Sequence, residues 1–141
     1  MIQRIMTRIT PLAIAFLLLS STFGSAQTPS TPAEKETGLA AVYTDALNGH
    51  VTASGQIYDK AKLTAAHKTL PFGTTVRVTS TANNKSVVLR INDRGPTQAA
   101  RVLDISPAAA ARLGFSPRVM REVTVEVVAL GSGKTTRQPA P

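Results

Sequence analysis

Short apolar runs, each cut off by Gly, Pro or Asn, constrain this chain more than any other feature. The runs at 39–43, 75–79, 87–91, 101–105 and 123–130 are rich in Val, Ile, Thr and Leu. Runs of that length suit strands and are too short for packed helices, so the pattern predicts strands joined by turns. Asn83-Asn84 falls between the second and third runs, where residues tolerant of positive φ close a hairpin. One helix interrupts the series. Ser106 is a good N-cap, Pro107 suits the first helical position, 108–113 are strong helix formers, and Gly114 suits a left-handed C-terminal cap. Many short strands with one brief helix predict a mainly β fold, a small closed barrel rather than a sandwich, because closure removes exposed strand edges.

The ends of the chain read differently. Arg4 and Arg8 precede an apolar run at 12–19, and the small-residue stretch 20–26 carries Gly24 and Ala26 at the spacing a signal peptidase needs. Residues 1–26 are therefore expected to be a secretory signal cleaved after Ala26, its apolar run too short to span a bilayer. No Cys stands at that junction to take a lipid, so no membrane anchor is expected after cleavage. The Pro-, Ser- and Thr-rich segment 27–37 reads as a disordered tether and 131–141 as a disordered tail, leaving 38–130 as the ordered domain. The 141-residue chain has no Cys at all, which excludes disulfide scaffolds and zinc fingers. Export without a cysteine fits a bacterial envelope protein of the periplasm.

The formal net charge is +8, and loss of Arg4 and Arg8 with the signal lowers it to +6. Such a balance suits an anionic partner. Lys60, Lys62, Lys68, Arg77, Arg90 and Arg94 are scattered, so a solvated surface and a basic groove for an anionic glycan both account for them. Aromatic residues make up only 4% of the chain, too few for a base-stacking platform, and no nucleic-acid partner is expected. No metal-ligand spacing and no phosphate loop is present, so no metal and no cofactor are expected.

The stretch VVLRINDRGP, residues 87–96, carries the most chemistry. Strand alternation would put Val87, Leu89 and Ile91 on one face and bring Asp93 onto that face at the rim of the core. A partly dried carboxyl group there suits proton donation, making Asp93 the candidate acid. The alternative is an Asn92–Gly95 turn in which Asp93 accepts backbone N–H bonds and Arg94 is solvated. His67 is either a hydrogen-bonded structural residue or an orienter of a carboxylate or sugar hydroxyl. Asp104 reads as a structural partner for Arg101 or for loop amides. Tyr43 and Tyr58 offer faces to a sugar ring.

Taken in order, GLAAVYTDALNGHVTASGQIYD, LTAAHKTLPFGTTVRVT, NNKSVVLRINDRGP and RVLDISPAAAARLG resemble the rare lipoprotein A (RlpA) family of septal ring lytic transglycosylases. The resemblance implies a six-stranded double-psi β-barrel with one or two short helices. It also implies endolytic cleavage of the MurNAc–GlcNAc bond of peptidoglycan glycan strands without water, leaving anhydro-muramoyl ends. By position, Asp93 matches the family's catalytic Asp and His67 its site histidine. The third position departs: where the family places a catalytic Glu, this chain has Gln56. An amide keeps the size and hydrogen bonding of Glu but transfers no proton. The expected site is therefore Asp93 as acid and base, with Gln56, His67, Arg94 and Tyr43 on the glycan. The alternative function is a glycan-binding or expansin-like wall-loosening module that cuts nothing.

Overall fold

The computed structural model describes residues 34–136, so the expected signal 1–26 and the first part of the expected tether lie outside the described residues. Six strands close a barrel in the order β1-β5-β2-β4-β3-β6. They are β1 Lys35–Val42, β2 Thr64–His67, β3 Thr75–Ser80, β4 Ser86–Asp93, β5 Arg101–Ile105 and β6 Arg121–Ala129, with helix α1 at Pro107–Leu113 and a single 3-10 turn at Asp45–Leu47. β1 runs parallel to β5 and β2 parallel to β4, while the other neighbours are antiparallel. This is the mainly β, six-stranded double-psi barrel that the resemblance implies. Among the described residues no helix is long and apolar enough to cross a membrane.

Inward-facing side chains fill the barrel. Leu89, Ile91, Leu103, Ile105, Val76 and Val78 are buried almost completely and belong to one cluster. Truncating any of the larger ones to Ala costs about 2–5 kcal/mol, through lost transfer energy and the cavity left behind. The local signals of the helix act as the sequence predicts. Ser106 takes an extended backbone, its Oγ accepts the Ala109 N–H at 3.2 Å, and Gly114 ends the helix at a φ of +73°. Asn84 adopts a φ of +58° in the β3–β4 hairpin, and Asn83 Nδ2 donates to Leu113 O at 3.0 Å, tying that hairpin to the end of the helix.

Three boundaries differ from the sequence reading. Strand β1 starts at Lys35 inside the expected tether, because 35–37 pair with Glu126, Val125 and Thr124 of β6 and help close the barrel. Residues 131–136 of the expected tail are held down: Gly131 N donates to Thr74 Oγ1, Gly133 N to Phe72 O and Thr136 N to Ser54 O, at 2.7–3.0 Å. The strand β2 has no run of its own in the sequence. Its two alanines have low strand propensity, and pairing with β4 and β5 makes it a strand.

Candidate active site

The site starts at a β-bulge. Ala65 of β2 pairs with Ile91 of β4, but the next residue, Ala66, pairs with Asp93, so Asn92 is the extra residue. A bulge re-aims the side chain that follows it. Asp93 therefore does not continue the core-facing series of Val87, Leu89 and Ile91. Ala65 joins the core, alternation turns Ala66 to the outer face, and Asp93 shares the row of Ala66. Its carboxylate is half-buried there.

Three donors fix that carboxylate. Oδ1 accepts the backbone N–H of Ala53 at 2.9 Å and of Arg94 at 2.8 Å, and Oδ2 accepts the Tyr43 hydroxyl at 2.7 Å. The turn reading of Asp93 is met in its backbone N–H bonds, at Oδ1, while Oδ2 accepts from a phenol; Arg94, which that reading leaves solvated, is bonded to the chain instead. The Ala53 amide reaches it because the turn 52–56 is tight, with Thr52 N bonded to Gln56 O at 2.8 Å and Gly55 at a φ of +85°. Burial first, and then the hydrogen bond to Asp93 and the charge of Asp93, hold the Tyr43 hydroxyl well above the ordinary tyrosine range, so it remains a donor. Its ring packs on Tyr58 with centroids 4.9 Å apart. Burial, with the charges of Asp45 and Asp59, pushes the Tyr58 hydroxyl up to about 12.

A second carboxylate faces the same surface. Ala66 pairs with Asp93 on one side and with Asp104 of β5 on the other. The two aspartates thus flank one alanine in a single row, two strand spacings apart, or roughly 9–10 Å between Cα atoms. The turn after Asp93 lies against Asp104: a Cβ on Gly95 would be 3.9 Å from Asp104 Oδ2. Asp104 is ion-paired with Arg101, as its sequence reading expects. Its place across from Asp93 is what that reading missed.

The other expected residues divide. Gln56 sits beside Asp93 through the bulge, its Oε1 accepting from Asn92 Nδ2 at 3.2 Å. Arg94 is spent on the backbone: Nη1 donates to His67 O at 3.1 Å and Leu70 O at 2.7 Å, and the guanidinium lies 4.1 Å over the Phe72 ring. It clamps the 67–72 loop. His67 is buried on the inward side of β2, opposite in phase to Ala66. Its Nδ1 accepts the amides of Thr69 and Leu70, so Nε2 carries the proton and donates to Glu36 Oε2 at 2.9 Å. That pair borders a separate cavity of about 410 Å³ between β1 and the loop after β2. The structure therefore brings Asp93 and Tyr43 together, sets Gln56 against Asn92, the neighbour of Asp93 in the chain, and turns His67 and Arg94 to other partners. Among the described residues no group of three or more His, Cys, Asp or Glu is placed to hold a metal ion.

A half-buried carboxylate on a double-psi barrel, held by a tyrosine from a stacked pair, is the centre of the candidate site. Residues 35–131 match the family model described as lytic transglycolase, and the chain belongs to that family. It is 46% identical over 93 residues to the endolytic peptidoglycan transglycosylase RlpA of Vibrio cholerae, covering 66% of this chain and 35% of that protein. It is 54% identical over 76 residues to the probable endolytic peptidoglycan transglycosylase RlpA of Treponema pallidum, covering 54% and 24%. The chain thus spans about a third of the length of such relatives, or less. Among solved structures, the Streptomyces papain inhibitor superposes with a TM-score of 0.53 at 24% identity, over 70% of this chain and 97% of the inhibitor. The Clavibacter michiganensis expansin does so with a TM-score of 0.52 at 17% identity, over 77% and 53%. These two likenesses speak to the fold.

Proposed function

We propose that this chain is an exported lytic transglycosylase acting on peptidoglycan glycan strands, with Asp93 as both acid and base. The observation that carries the reading is the fixation of Asp93 by the Tyr43 hydroxyl at 2.7 Å and the amides of Ala53 and Arg94. The names of the relatives support the substrate, which lies outside the cytoplasmic membrane, and the expected signal at 1–26 supports export to the periplasm.

With Oδ1 committed to two N–H donors, Oδ2 is the oxygen that carries the catalytic proton. Protonated Asp93 gives that proton to the glycosidic oxygen as the bond from muramoyl C1 breaks. The carboxylate so formed takes the proton of the muramoyl C6 hydroxyl as its oxygen closes on C1. The products are a free sugar hydroxyl and a 1,6-anhydro end, no water is consumed, and Asp93 returns to its starting form. Tyr43, kept neutral, donates to Oδ2 in the carboxylate stage and releases it in the acid stage. Gln56 binds glycan through its amide, whereas Arg94 and His67 hold the 67–72 loop.

The test is digestion of isolated glycan strands, read by mass spectrometry. Wild type is expected to release anhydro ends. Asp93→Asn keeps an oxygen for the Ala53 and Arg94 amides yet transfers no proton, so it should lose a factor of roughly 10²–10⁴. Glycan binding by wild type with no anhydro ends at any pH from 4 to 8 would overturn the reading in favour of a wall-loosening binder.

A further inference from the structure

A cavity of about 240 Å³ adjoins the turn that holds Asp93. Asn92, the bulged residue before Asp93, and Ser54, which follows the Ala53 whose amide holds Asp93, both line it. Gln56 also lines it. The remaining wall comes from the C-terminal strap, through Ser132, Lys134 and Thr136.

Two features single this cavity out. It is lined by two cations, Arg90 and Lys134, and by no Asp or Glu. Neither cation forms an ion pair among the described residues. The strap that delivers Lys134 is also built in, not draped. A Cβ on Gly131 would fall 2.2 Å from Phe72 O and 2.3 Å from Thr74 N, so only glycine lets the strap approach this closely. Hydrogen bonds from Gly131, Gly133 and Thr136 then pin it on both sides of Lys134.

We propose that the strap completes a carboxylate-binding subsite, in which Arg90 and Lys134 hold an acidic substituent of the glycan strand next to the bond at Asp93. The guanidinium fork of Arg90 suits a planar carboxylate, and Lys134 adds a point charge. The inference rests on the peptidoglycan reading above, because neutral polysaccharides carry no such group. The carboxylate has two sources on that polymer: the lactyl ether of a muramoyl sugar without a peptide, or the stem peptide.

Binding is measured with the full chain carrying Asp93→Asn, so that nothing is cut. The ligands are tetrasaccharides: chitotetraose, the alternating GlcNAc–MurNAc strand with free lactyl groups, and the same strand bearing stem peptides. At least one acidic ligand is expected to bind about tenfold or more tightly than chitotetraose at low salt, the worth of one charge-assisted contact. Preference for the bare strand assigns the lactyl group, and preference for the peptide-bearing strand assigns the stem. Arg90→Gln with Lys134→Gln, which touches no pinning bond, should bring the preference below about threefold. Gly131→Ala should weaken it with Lys134 still present. Equal binding of neutral and acidic ligands, no binding of any, or a preference that survives the double substitution overturns the subsite. An acid preference in a protein whose wild type makes no anhydro ends instead overturns the transglycosylase reading and leaves the subsite standing.

Discussion

Gln56→Glu puts a carboxyl group where the chain has an amide, and the structure sets what that should do. Among the described residues the side chain makes one hydrogen bond, Oε1 accepting from Asn92 Nδ2 at 3.2 Å, and a Glu of the same shape keeps it. The second oxygen would join a cavity that already holds two unpaired cations, Arg90 and Lys134. The fold should therefore change in stability by less than about 1 kcal/mol. Those cations favour the anionic form of the new group, so it should serve as a base and leave Asp93 to act as the acid. A separate base in a general acid–base reaction is worth a factor of roughly 10²–10⁴. We take the lower end, because Asp93 already serves both roles in turn. A gain of about 100-fold in anhydro-end formation corresponds to about 2.7 kcal/mol of transition-state stabilisation. The assay is the initial rate of anhydro-end release from isolated glycan strands, with wild type, Gln56→Glu and Gln56→Ala compared at matched thermal midpoints. A Gln56→Glu rate within threefold of wild type, with the fold intact, would refute the reasoning and make Asp93 self-sufficient.

The chain has two tyrosines and no Trp, so tyrosinate absorbance near 295 nm reports on Tyr43 and Tyr58 alone. Both native hydroxyls lie above the ordinary value of 10.0, that of Tyr58 at about 12, so the folded protein should show little tyrosinate at pH 10.5. The unfolded chain should show most of it; equal signals would refute the packing of both rings. Because the folded state holds these protons more tightly, the associated stability is complete below about pH 10 and fades as pH rises through the native values. Denaturant midpoints at pH 9 and 11 should therefore differ in that direction. Ser106→Ala removes a fully buried hydroxyl that donates to Lys62 O at 2.6 Å and accepts from Ala109 N at 3.2 Å. Loss of the cap and of a partner for a buried carbonyl should cost about 2–3 kcal/mol in urea unfolding, and a cost below about 0.5 kcal/mol would refute the assignment.

What the sequence could reveal follows from which contacts are local. The helix is fully legible because Ser106, Pro107 and Gly114 act on residues within one or two turns of themselves. The hairpin at Asn84 is legible for the same reason. Strand β4 is legible as far as Ile91, where alternation holds, and illegible at Asn92, because a bulge is defined by the register of a partner strand. That one extra residue carries Asp93 from the core-facing series to the outer face. Asp104 shows the same limit in another form. Its ion pair with Arg101, three residues away, is readable in the sequence, but its station across Ala66 from Asp93 depends on the order β5-β2-β4, to which no local signal contributes.

The C-terminal strap makes the limit sharper, since here composition points the wrong way. A Gly-Ser-Gly-Lys run has the make-up of a flexible linker, and a glycine read alone carries two opposite meanings: freedom of the backbone, or close approach of another chain segment. Only the partner decides between them. At Gly131 the partner is the backbone of 72–74, near enough that any side chain would collide with it. The same absent Cβ that suggests disorder is therefore what lets the strap lie flat, and with it Lys134 reaches the cavity of Gln56 and Arg90. If that geometry holds in solution, amide exchange should protect Gly131 and Thr136, whose N–H groups are bonded. Exchange at the rate of a free coil at both positions would return the segment to the linker it resembles.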